Sequence, residues 1–143
     1  MNNKRVLILG ASSDIGIELV KYFLKKKWNI TAHYCSNNSK LKLIKSKKLK
    51  LIHMNFAEID NSNKNLVVEK FSDNNDSLIN LVGFVDNKRF NNLDIDSCLE
   101  SIKINAIIPI FFINFVSNKM YKKKWGRILN CSSIGVKFGG GEK

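Results

Sequence analysis

The sequence predicts an α/β fold, a doubly wound parallel sheet with helices on both faces, in three layers. Two observations carry that expectation. Short, branched apolar runs alternate with amphipathic stretches along the chain, and strict alternation of units this long builds parallel sheets. The first run, residues 6–9, ends in a glycine-bounded turn from Gly10 to Gly16 that opens directly into a helix. At 143 residues the chain makes one domain, residues 1–143, long enough for a proper core. No internal repeat or interdomain linker is expected. About five strands are, with right-handed crossovers between them.

Residues 4–9 are apolar and branched, the pattern of a buried strand. Residues 14–27 carry Ile15, Leu19, Phe23 and Leu24 as a helix packed on a sheet does. Residues 28–34 form a second strand, and the polar, basic stretch 37–48 a loop and helix. Residues 50–55 read as a third strand. Residues 61–75 hold Leu66, Val67, Val68 and Phe71 between polar ends, a short helix. Residues 77–84 are the fourth strand. Residues 94–120 form a long helix, which Pro109 should kink because it removes a helical hydrogen bond. Residues 127–131 are the fifth strand, and 132–143 a glycine-rich loop with no element of its own.

Composition narrows the classes. Hydrophobic residues make up 44%, ordinary for a globular protein. The apolar run at residues 6–9 is too short for a signal peptide. The longest apolar stretch, residues 104–116, is interrupted by Asn105, Pro109 and Asn114 and falls short of the roughly 20 residues of a membrane span. A soluble, cytoplasmic chain is expected. Cys35, Cys98 and Cys131 show neither metal-ligand spacing nor a paired motif, which suits a reducing compartment. No metal site is expected, His33 and His53 being core or surface residues. The net charge of +12 invites polyanions. Yet the lysines are spread through turns and helix faces, no nucleic-acid module accompanies them, and Asn, Ile and Lys are abundant together. Solvated basic faces are therefore expected, with neither a specific nucleic acid nor a membrane as partner.

Strand, glycine turn and helix in that order form a ready dinucleotide site, since the turn lets a pyrophosphate approach N–H groups at the positive end of a helix. Ser12 and Ser13 can cap the helix, bond phosphate, or both. Asp14 suits the helix dipole but not an anionic ligand. A tight strand-to-helix turn with no ligand is the alternative. The second strand ends at Cys35, Ser36 and Asn37 without an acid to hold a ribose 2′-hydroxyl. Ser36 and Asn37 could instead take a 2′-phosphate, with Lys40 near, which favours NADP over NAD.

Gly10 and Gly16, six apart with Asp14 between, resemble the longer glycine turn of the short-chain dehydrogenase/reductase family, Asp14 standing where a middle glycine often does. The resemblance continues in order. Asn80-Leu-Val-Gly83 is similar to the family's Asn-Asn-Ala-Gly at the end of the fourth strand, with Leu81 and Val82 departing. Asn105, four residues before Pro109, looks like the family's catalytic helix asparagine, though it could equally bond backbone. Gly126-Arg-Ile-Leu-Asn-Cys-Ser-Ser133 looks like the fifth strand and its catalytic serine. Ser133 falls at that position, and a shift of one residue would exchange it with Ser132; two serines ending a strand are the alternative.

The resemblance implies a Rossmann-type fold and an NAD(P)-dependent oxidoreductase acting on a small carbonyl or alcohol. The cofactor would lie along Gly10, Ser12, Ser13, Asp14, Ile15, Gly16, Ser36, Asn37, Asn55, Asn80 and Gly83. Ser133 would hold the substrate oxygen and Asn105 a relay water. The family's Tyr-x-x-x-Lys does not follow Ser133, and Tyr34 and Tyr121 do not substitute. The chain thus resembles the N-terminal part of such an enzyme, with no turnover expected of it alone. A non-catalytic dinucleotide- or protein-binding module is the alternative. The family also implies a homo-oligomer through helix 94–120, where Ile107, Phe111, Phe112 and Phe115 could serve or could simply cover the sheet.

Overall fold

The computed structural model describes residues 4–86, 92 and 94–138. The chain runs β1 (Arg5–Leu9), α1 (Asp14–Lys25), β2 (Asn29–Tyr34), α2 (Ser39–Leu43), β3 (Leu49–His53), a 3₁₀ turn (Phe56–Glu58), α3 (Lys64–Lys70) and β4 (Ser77–Asn80). Then follow α4 (Ile95–Ile102), a π-turn (Lys103–Ile107), α5 (Ile108–Lys122), β5 (Arg127–Asn130) and a one-turn helix, α6 (Gly135–Phe138). The five strands form one parallel sheet in the order β3-β2-β1-β4-β5. Sequence order therefore reverses between β1 and β4, where such sheets open a crevice at the C-terminal ends of their strands.

The period of two in β1 divides the core. Val6 and Ile8 point to one face, joining Ile17, Val20, Ile30, Ala32, Leu41 and Ile79 under α1 and α2. Leu7 and Leu9 point to the other, with Ile52 and Leu78 under α3 and α5. There Phe56, Phe71 and Phe112 pack ring on ring, with centroids 5.0 to 6.4 Å apart. Both faces of β1 are fully buried, which is why residues 6–9 read as a continuous apolar run.

Three expectations change. The long helix is not simply kinked at Pro109: a π-turn opens immediately before α5, with Ile108 N–H donating to Lys103 C=O. A wide turn absorbs the missing proline donor without breaking the helical run. That run, Ile95–Lys122, spans 28 residues with a mean hydropathy of 1.6 over its most apolar window. By length and composition it could cross a membrane, whereas residues 104–116 alone fall short. One side, Ile108, Phe112, Val116 and Met120, is packed on the sheet. Finally, residues 132–143 are not all loop, because α6 forms at Gly135–Phe138. Residues 139–143 of that loop lie outside the described residues.

Candidate cofactor site

The crevice is built around Gly10. Its φ is +74°, a left-handed conformation that suits glycine. A Cβ there would stand 3.1 Å from the carbonyl carbon and oxygen of Leu81, so the turn passes close beside the chain leaving β4. Gly16 meets a tighter limit: a Cβ would come within 2.6 Å of the Ala11 backbone. Two glycines thus let the turn fold back and α1 start directly over it. Ser13 is the N-cap, its Oγ accepting from Gly16 N–H at 3.1 Å and donating to Gly10 C=O at 3.0 Å. Of the two serines, Ser13 caps, while Ser12 is half-buried in the turn. The N–H groups of Asp14 and Ile15 lie in the first helical turn, where no intrahelical acceptor exists.

Asp14 does not leave an uncompensated charge at this helix end. Lys40 of α2 reaches it, Nζ to Oδ1 2.6 Å. The hydrogen bond and the charge of each hold the Asp14 carboxyl below its ordinary range and the Lys40 ammonium above its own. Ser36 is exposed just after β2, and the Asn37 side-chain Oδ1 accepts from the N–H and hydroxyl of Ser39 at the start of α2. Asn55 likewise has a local task, accepting from Ala57 N–H at 3.1 Å and donating to Glu58 at 2.9 Å around the 3₁₀ turn. Asn80 is buried, and its Oδ1 accepts from Val82 N–H at 3.1 Å, turning the chain away from β4. Gly83 is exposed, and a Cβ on it would meet only Asn105 Oδ1, at 3.9 Å.

Asn105 sits inside the π-turn. Its Oδ1 accepts from Phe84 N–H and its Nδ2 donates to Phe84 C=O, both at 2.8 Å. Nδ2 also reaches Ser101 Oγ at 3.3 Å. The amide therefore clamps the loop after β4 to the helix. Ser133 is exposed, and its Oγ accepts from Gly135 N–H at 3.1 Å at the start of α6. Ser132 beside it is exposed as well. None of the three tyrosines stands among these groups. Tyr34 lies against His53, and Tyr121 is in the last turn of α5. Tyr22 and Lys26 have the spacing Tyr-x-x-x-Lys, but at the far end of α1.

One participant is not apparent from sequence. His33, buried in β2, accepts Gly10 N–H at Nδ1 (3.2 Å), while Nε2 lies 2.9 Å from Met54 C=O. A carbonyl only accepts, so Nε2 carries the proton and the ring is neutral. Phe56 stacks on it at 3.8 Å with planes 5° apart. Burial pushes its pKa down to about 4, against the opposing Met54 hydrogen bond. His33 C=O also accepts from Ala11 N–H at 2.8 Å, so this residue holds both ends of the Gly10 peptide neighbourhood. The only sequence sign of it is a polar side chain inside a strand.

The fold recurs in known proteins. Residues 4–142 match the short chain dehydrogenase family. This chain belongs to that family. No curated protein sequence matches it. Among solved structures, 4-hydroxyisoleucine dehydrogenase complexed with NADH is 26% identical with a TM-score of 0.77, covering 93% of this chain and 57% of that one. A short chain dehydrogenase from Leptospira borgpetersenii with bound NAD+ is 25% identical, TM-score 0.73, covering 94% and 53%. ElxO with NADP bound, at 23% identity and a TM-score of 0.70, shares the fold over 92% of this chain and 56% of its own. The short-chain dehydrogenase chain described here thus spans a little over half the length of these structures.

Proposed function

We propose that the chain is the dinucleotide-binding portion of an NAD(P)-dependent oxidoreductase acting on a small carbonyl or alcohol. The observation that carries this is Gly10. Its left-handed backbone turns the chain back beside Leu81 and into α1, whose first N–H groups, at a positive helix end, have no intrahelical acceptor. A pyrophosphate fits that donor set, and Gly10, Ser12, Asp14, Ile15 and Gly16 would line it, with Ser13 shaping the turn. Asn80, Gly83 and Asn55 would flank the nucleoside. When bound, the nicotinamide ring supplies or accepts hydride. Ser133, or Ser132 beside it, would hold the substrate oxygen, and Asn105 a water near the π-turn. These residues bind and orient, and none of them is a proton donor of the strength a developing alkoxide needs.

The end of β2 supports NADP over NAD. It offers Ser36 and Asn37 with Lys40 at hand and no carboxylate for a 2′-hydroxyl. Lys40 would then exchange Asp14 for a 2′-phosphate. A second reading, a dinucleotide-binding module without turnover, is favoured by the local bonds that already occupy Asn105 and Ser133.

Calorimetric titration of the chain with NADPH and NADH tests the proposal. Micromolar binding, abolished by Gly16→Trp and tighter for NADPH, is expected. A folded chain that binds neither sinks it, and NADH bound more tightly than NADPH removes the 2′-phosphate assignment.

A further inference from the structure

The opposite end of the sheet has another chemistry. All five strands are parallel, so all begin at one end. The tetrapeptide Lys-Lys-Lys-Trp occurs twice, at 25–28 and 122–125, leading into β2 and β5. Both copies take the same shape. The last lysine of each is left-handed, Lys27 at φ 61° and Lys124 at φ 54°. The following tryptophan N–H closes back on the helix, Trp28 to Phe23 C=O and Trp125 to Met120 C=O. Left-handed residues at helix ends are usually glycine, because a Cβ is strained there. Here the chain keeps two lysines at that cost.

Tertiary structure brings the two copies together. Lys4, just before β1, places Nζ 5.4 Å from the Trp28 ring and 4.9 Å from the Trp125 ring. The rings therefore lie within about 10 Å of each other. The Arg127 guanidinium covers Trp125 at 5.3 Å, and Lys48 reaches Lys27 C=O at 2.8 Å, extending the basic surface towards β3. Asp73 and Asp76 also lie at this end, but each is already paired, Asp73 with Lys50 and Asp76 with Lys123. Basic residues in the last turns of α1 and α5, such as Lys25 and Lys119, complement the negative helix ends. Complementing a dipole requires neither strained lysines nor tryptophans beside them.

We propose that this end of the molecule docks single-stranded nucleic acid, its phosphates following the paired lysine runs and Lys4, its bases meeting Trp28 and Trp125. A membrane surface would match the charge, but two neighbouring rings beside cations fit base stacking: Trp28 is half-buried against Phe23, 4.9 Å between ring centroids, and Trp125 is 38% exposed. This surface is independent of the crevice at Gly10.

The chain's two tryptophans both lie here, so their fluorescence reports on it directly. Titrating the full chain with fluorescein-labelled oligouridylate should raise anisotropy and quench tryptophan emission. With about four phosphates neutralised, affinity should fall about 50-fold between roughly 50 and 200 mM salt. Lys27→Gly with Lys124→Gly relieves both left-handed residues, so the fold is retained, and binding should weaken at least about tenfold. Lys21→Gln with Lys64→Gln removes the same charge elsewhere and should change binding less than about twofold. Four results overturn the proposal: no binding at the lower salt, binding without quenching, equal loss in both double variants, or binding to phosphatidylserine vesicles but not to the oligonucleotide.

Discussion

Gly10 serves the backbone and the crevice at once, and its substitution should show both. Gly10→Ala forces a Cβ into a left-handed residue and against Leu81. A loss of about 1–3 kcal/mol is expected in urea unfolding, with weaker dinucleotide binding by calorimetry. His33 makes a separate prediction, about pH. Its folded pKa, about 4, lies below the ordinary 6.5. Between those values the unfolded chain takes up a proton that the folded one refuses. This contribution is therefore complete above about pH 6.5 and is lost as pH falls towards 4, by a few kcal/mol at most. Unfolding midpoints measured across that range should drop with acid, and His33→Leu should flatten the slope; an unchanged slope would show that the ring does not stay neutral. The two residues differ in legibility. The glycine spacing is visible in the sequence because a turn is local. His33 is not, because its partners Gly10 and Met54 come from other segments.

At the scale of elements, α5 packs Ile108, Phe112, Val116 and Met120 into the core. Phe112 is fully buried between Phe56, Phe71 and Phe111. Phe112→Ala should cost about 3–5 kcal/mol in equilibrium unfolding. Ser13→Ala removes the α1 cap and should cost about 1 kcal/mol. A cost near zero would mean that water replaces the Oγ. The order of strands and helices was readable from periodicity, since apolar side chains repeat every two or every three to four residues. Boundaries were less so: β4 stops at Asn80, where its side chain turns the chain, although apolar residues continue to Phe84. The π-turn was hidden too. Pro109 announced a disturbance, but its form goes with burying both Ile104, inside the turn, and Ile108, just after it.

At the scale of the molecule, β5 is an edge strand of the sheet among the described residues, and its four residues are exposed, Ile128 at 39% and Leu129 at 54%. Ile95, Leu99, Ile102, Ile107 and Ile110 add apolar surface along the α4–α5 run. Phe112 covers the sheet with Phe111 and Phe115 against it, so the face expected to do one job is divided, and Ile107 falls on the open side. An exposed strand edge beside apolar surface promotes association. Sedimentation at rising concentration should show self-association of this chain; a monomer that melts cooperatively would contradict that. By itself the sequence determined the α/β class, the strand order along the chain, the glycine turn and the kinship with short-chain dehydrogenases, because each rests on residues near one another. Only the tertiary structure decided that His33 holds Gly10, that Lys40 neutralises Asp14, and that Lys4 stands between two tryptophans at one end. Those partners are brought together by parallel strands, whose crossovers carry every strand start to the same side and every strand end to the other.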